Sequence, residues 1–187
     1  MQRLILLLTL AIMAVIPATA MATTTETLPA TTTTISGSVY CPTPVHNGTM
    51  RAVGVNFTGT GTAQGSYPGS FSETNGIVRL QGNYGPLGSG IFSTYFTITS
   101  PDAKGKITTI TGTITRRPLF GTYACGSGGG SVWFSGPNGQ TAIYTATITA
   151  PNGSQQTISN GVANVVSGNM STPQGSQGSL LTTLTLP

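Results

Sequence analysis

The stretch that decides the fold is Arg51 to Gln64, RAVGVNFTGTGTAQ. Val53, Val55 and Phe57 fall on one side of an extended chain. Asn56, Thr58, Thr60 and Thr62 fall on the other. A period of two is the mark of a half-buried strand, because successive side chains in a strand point to opposite faces. The same alternation recurs outward from this segment. Ser89 to Thr99 places Phe92, Phe96 and Ile98 together. Lys106 to Thr115 sets Ile110 and Ile114 against Thr109, Thr111, Thr113 and Thr115. Gln140 to Ala150 sets Tyr144 and Ile148 against Thr145 and Thr147, and Ser179 to Pro187 groups Leu180, Leu184 and Leu186. No segment after the leader carries a 3.6-residue period.

Short turns separate these runs. Ala150-Pro151-Asn152-Gly153 and Gly136-Pro137-Asn138-Gly139 both carry Asn-Gly, a strong hairpin signal. Pro101 to Gly105 and Ser66 to Gly69 read as further turns. Short turns join antiparallel neighbours, so the chain reads as a meander of about nine or ten strands. To cover its apolar face the meander must close or stack. The expected fold is therefore all-β, an antiparallel meander forming a closed or partly open barrel, with a two-sheet sandwich as the alternative. One hairpin is echoed: TITSPDAKGKITTITG, from Thr97 to Gly112, resembles TITAPNGSQQTISNG, from Thr147 to Gly161.

The first 20 residues read as a signal peptide. Arg3 is followed by the apolar run Leu4 to Ile16, then Pro17 and the small-x-small site Ala18-Thr19-Ala20, with a second cut possible at Ala22. The run is shorter than the roughly 20 residues that a spanning helix needs. The chain is expected to be secreted, with no transmembrane anchor in the mature part. Residues 21–34 contain TTTETLPATTTT and read as a Thr-rich flexible stalk. Residues 35–187 read as a single β-domain. Cys41 and Cys125 make an even pair, which in an exported chain points to a disulfide. Closing a loop of roughly 84 residues would contribute roughly 4–5 kcal/mol by the chain-entropy argument.

Composition narrows the function. Only 5% of residues are charged. After the leader, Glu26, Glu73 and Asp102 stand against Arg51, Arg79, Lys104, Lys106, Arg116 and Arg117. That is too sparse for the basic stripe that nucleic acid requires. Lys104, Lys106, Arg116 and Arg117 give at most a small basic patch, and adjacent Arg116 and Arg117 should face opposite ways. His46 is the single histidine, so a zinc site lacks its ligand set and a catalytic triad lacks support. No G-x-S-x-G elbow surrounds any serine. The Gly-rich run after Cys125 lacks the Lys-Ser/Thr of a phosphate loop. No cofactor and no metal are expected. Glu73, alone in a Thr/Ser strand, either pairs with Arg51 or Arg79 or lines a site. Trp133, Phe134, Tyr67 and Tyr84 are the rings most able to stack on a sugar. Sequons begin at Asn47, Asn56, Asn152 and Asn169.

Phe57 to Val78, FTGTGTAQGSYPGSFSETNGIV, together with YFTITSP from Tyr95, ITGTIT from Ile110 and YTATITAPNG from Tyr144, resembles a family of secreted bacterial β-domain proteins with a T-G-T-A-x-G-x-Y-P-G-x-F-x-E pattern. The resemblance covers most of the mature chain and implies an exported β-domain. It supplies no activity and no catalytic residue. The expected function is a secreted, non-enzymatic module associated with the cell envelope, whose partners are envelope components such as cell-wall polysaccharide. The alternatives are a barrel holding a small ligand among Phe92, Phe96, Tyr144 and Trp133, and a hydrolase using Glu73.

Overall fold

A computed structural model of the chain describes residues 26–41, 51–82, 88–126, 129–171 and 177–186. Eight strands follow one another: β1 (Glu26–Tyr40), β2 (Arg51–Ala63), β3 (Gly69–Gly82), β4 (Gly88–Pro101), β5 (Ile107–Gly126), β6 (Gly129–Thr149), β7 (Gln155–Ser171) and β8 (Gln177–Leu186). Each pairs antiparallel with the next, and β8 pairs with β1, so the sheet is a closed barrel. Closure leaves no strand edge open. The meander and the barrel agree with the sequence, and the sandwich is set aside.

Eight strands enclose an interior just wide enough for side chains to fill. Here aromatic rings fill much of it. Phe57 and Phe92, Phe71 and Phe96, and Phe96 and Tyr144 each lie with ring centroids 6.2 Å apart. Aliphatic side chains from all eight strands complete the core, among them Leu28, Val55, Leu80, Ile98, Ile114, Val132, Val165 and Leu184.

Two expectations are corrected. Glu26 to Thr34 is strand, not stalk. Its first half closes the barrel, with Leu28 opposite Leu184 and Ala30 opposite Thr182, and its second half pairs with β2. The reason is a period of two hidden by the threonines: Leu28, Ala30 and Thr32 are all buried. The second correction concerns Gly136-Pro137-Asn138-Gly139. This segment is no hairpin turn but lies inside β6. Ser135 pairs with Ser167 and Gln140 with Val165, so four residues of β6 oppose one of β7 in a wide bulge. Among the described residues the strand count is therefore eight.

Three hairpins repeat one device. Phe57 pairs with Gly76 across β2 and β3, Phe96 with Gly112 across β4 and β5, and Tyr144 with Gly161 across β6 and β7. A Cβ on Gly76 would overlap the Phe57 ring, and one on Gly161 the Tyr144 ring. Each ring thus lies over bare backbone, the aromatic cover of glycine that helps curved sheets close. Before two of these glycines the chain bulges, at Asn75 with φ 51° and at Asn160 with φ 60°. Asparagine is one of the few side chains that adopts this region readily.

Candidate functional site

Among the described residues, Glu73 is the acidic side chain buried in the barrel, at 1% exposure. Its Oε2 accepts a hydrogen bond from Thr32 Oγ1 at 2.5 Å. Its Oε1 has no hydrogen-bond partner among the described residues. Across the ladders it faces Gly59 on β2 and Phe96 on β4. A Cβ on Gly59 would meet Thr32 Cγ2, so the glycine leaves room for the pair. Burial pushes the carboxyl up from 4.5 to about 7, and the Thr32 bond opposes that rise. The expected ion pair with Arg79 does not form, because Glu73 faces inward and Arg79 is exposed on the same strand. The side chain of Arg51 lies outside the described residues. The sequence could not show Thr32 as the partner while residues 21–34 read as a stalk.

The aromatic candidates are not brought together. Tyr67 is half-buried against the core at the β2–β3 turn. Trp133 is 40% exposed on β6, between Thr122 and Asn169, toward the opposite end of the barrel. Tyr84, His46 and the side chain of Phe134 lie outside the described residues. Phe92, Phe96 and Tyr144 are buried in the core. They pack on one another or on Phe57 and Phe71, and the Tyr144 hydroxyl donates to Thr185 O at 2.8 Å. Trp133 stands outside this core.

The four cations do not form one patch. Lys104 and Lys106 are exposed on the β4–β5 turn, where Asp102 Oδ1 accepts from both of their backbone amides at 2.8 Å. Arg116 and Arg117 sit some ten residues along β5, roughly 30 Å away. Arg117 is exposed, whereas Arg116 is half-buried and its Nη1 donates to Thr141 O at 2.7 Å. That bond belongs to a seam. Between Thr115–Ile143 and Thr122–Trp133 the β5–β6 ladder is interrupted. Gln140 bridges the gap: its Oε1 accepts from Phe120 N at 2.7 Å and its Nε2 donates to Phe120 O at 2.6 Å. One amide side chain thus replaces a strand partner.

The outer face is a surface of hydroxyls. Thr34, Thr60, Ser72, Thr97, Thr111, Thr147 and Thr157 form one continuous cross-strand row over seven strands. Beside it run Thr31, Thr62, Ser70, Thr99, Thr109 and Thr149. Neighbours in such rows stand about 4.8 Å apart between strands and about 6.8 Å apart along them. Large apolar groups interrupt this face singly or in pairs, notably Tyr95 at 56% exposure and Ile143 at 58%. Where β1, β2 and β3 pass the Asn75 bulge, the outer face hollows into an open groove of about 440 Å³. No histidine, cysteine, aspartate or glutamate cluster able to hold a metal occurs among the described residues. Comparison with protein-family models, curated proteins and solved structures returns no match for this chain.

Proposed function

We propose that this chain is an exported, non-enzymatic barrel that acts through its outer surface as a cell-envelope-associated binding module. The observation that carries the reading is the division between the two faces. The inside is a packed core of rings and aliphatic chains, and the outside is a lattice of uncharged hydroxyls with isolated apolar groups. That alternation is the reverse of a membrane-spanning barrel, whose apolar side faces out. A hydroxyl surface with few charges suits polyhydroxylated, uncharged partners, which it meets by hydrogen bonds and by contact with exposed groups such as Tyr95 and Trp133. The leader-like residues 1–20 and the likeness to secreted β-domains support export. The position of Glu73 gives the hydrolase alternative no support, since its carboxyl is buried beside Thr32. The filled interior does the same for the ligand barrel.

We also infer a Cys41–Cys125 bridge. Cys41 Sγ lies where a side chain on Gly130 would stand, and Gly130 is the cross-strand partner of Cys125. Thiol titration of the unfolded, unreduced protein should find no free thiol, and two after reduction.

The test of function is co-sedimentation of the mature protein with isolated cell envelopes and insoluble polysaccharides across a salt series. Binding that persists at high salt is expected, because hydrogen bonds and apolar contacts are not screened as ion pairs are. Binding abolished by salt, or none at any salt, would overturn the reading.

A further inference from the structure

We infer that the groove above the Asn75 bulge is the subsite at which the barrel takes an uncharged sugar unit; this rests on the surface-module reading and gives it a location. The groove is lined by the exposed side chains of Ser36, Ser38, Asn56, Thr58 and Asn75, with half-buried Ile77 beside them and Phe57 beneath. Hydroxyls and carboxamides both donate and accept, and none of these groups carries charge. The combination matches a ligand of hydroxyls on an apolar ring frame. It does not match a phosphate or a carboxylate, which would call for a cation. Nor does it match an extended peptide adding itself as a strand, because β1, β2 and β3 are each paired on both sides in the closed barrel.

The barrel contains its own control for this groove. The β6–β7 hairpin repeats β2–β3, with Tyr144 over Gly161 as Phe57 lies over Gly76, and with Asn160 in the place of Asn75. Registering the two hairpins on those pairs puts Ile143 where Asn56 stands and Val162 where Ile77 stands. On the preceding strand, Thr113 and Thr115 take the places of Ser36 and Ser38, and Ile114 that of Gly37. One scaffold therefore carries bulky apolar and threonine side chains on one side and small polar ones on the other. The bulge accounts for the bend in both places. The polar side chain of Asn56 is not needed for the fold, because its counterpart place holds Ile143, while Thr113, Thr115, Thr145 and Asn160 keep the other places polar. Asn75 adds a further feature: it has no Cα partner in either the β2 or the β4 register, so the bulge presents it outside both ladders.

The experiment is titration of the mature protein with soluble, uncharged glucan and N-acetylglucosamine oligosaccharides, run beside the polysaccharide co-sedimentation. Two variants are compared with wild type. Asn56→Ile installs the residue that the fold already carries at the same place in β6. Asn75→Gly removes the amide and keeps the left-handed backbone. Thr145→Ala, on the opposite hairpin, is the control. The expected result is saccharide binding by wild type and Thr145→Ala, weakened at least tenfold in both groove variants, with thermal melts confirming that all are folded. Polysaccharide binding by wild type that Asn56→Ile leaves unchanged would overturn the groove and leave the surface-module reading standing. Failure of wild type to bind any saccharide or polysaccharide would overturn both.

Discussion

Glu73 and Ile158 occupy the same place in two hairpins of one barrel. Each stands three residues before the glycine that an aromatic ring covers, Gly76 under Phe57 and Gly161 under Tyr144. Ile110 fills the corresponding place in the third hairpin, opposite Ile98. The scaffold accepts an aliphatic side chain here twice, so the buried carboxyl of Glu73 is not required by the architecture. Its cost is set by burial, and Thr32 and Gly59 accommodate it.

Stability should fall as pH rises. The folded-state pKa of Glu73, about 7, lies above its ordinary value of 4.5. Its contribution is therefore fully present below about pH 4.5 and is lost as pH rises through about 7. The difference amounts to about 3 kcal/mol. Urea denaturation between pH 4 and pH 8 checks this. The midpoint should decline steadily over that window, and a rising or flat profile would show that the carboxyl is not held in an apolar environment.

Glu73→Ile should remove that pH dependence and stabilise the barrel at pH 8 by about 1–4 kcal/mol, as replacement of buried ionic groups by packed hydrophobic ones often does. Thr32→Val should act the other way at pH 8. It leaves Glu73 without its donor and should cost about 1–3 kcal/mol. Equilibrium unfolding of the three proteins at pH 5 and pH 8 separates the effects.

Residues 26–34 should be indispensable. A chain beginning at Ile35 loses the β1–β8 ladder from Glu26–Leu186 to Thr32–Leu180, along with the buried Leu28 and Ala30. It should fail to give a cooperative unfolding transition, whereas a chain beginning at Thr23 should unfold cooperatively. Equal melting of the two would restore the stalk.

Gln140→Ala should loosen the seam between β5 and β6. Phe120 loses both bonds of the Gln140 amide, at 2.7 and 2.6 Å. The expected cost is about 1 kcal/mol, since the site is exposed and water can replace the amide. Hydrogen exchange at the Phe120 amide should quicken while exchange at Ile114 in the core stays slow.

Much of the fold was legible because strand alternation is a local signal. Val53, Val55 and Phe57 declare an inward face without reference to any partner, and Ala150-Pro151-Asn152-Gly153 declares its own turn. The misreadings came where local chemistry has two outcomes. Threonine suits both a polar linker and a strand, so Thr31 to Thr34 hid the closing strand. Asn-Gly suits both a hairpin and a bulge, and at Gly136 to Gly139 the longer ladder of β6 and β7 carried through. The candidate site was less legible because it depends on register. Nothing local joins Ser36 to Asn56 and Asn75, or Thr32 to Glu73. The echo between the Thr97 and Thr147 segments held the clue, since extending it to Phe57 would have marked Glu73 as the residue out of pattern.

The measurement that tests the central claim most directly is envelope co-sedimentation of the Glu73→Ile barrel beside wild type at pH 5.5, where both are folded. If the interior is only a core and binding belongs to the outer face, the two proteins should sediment equally. A folded Glu73→Ile barrel that no longer binds would contradict the account and place function inside the barrel.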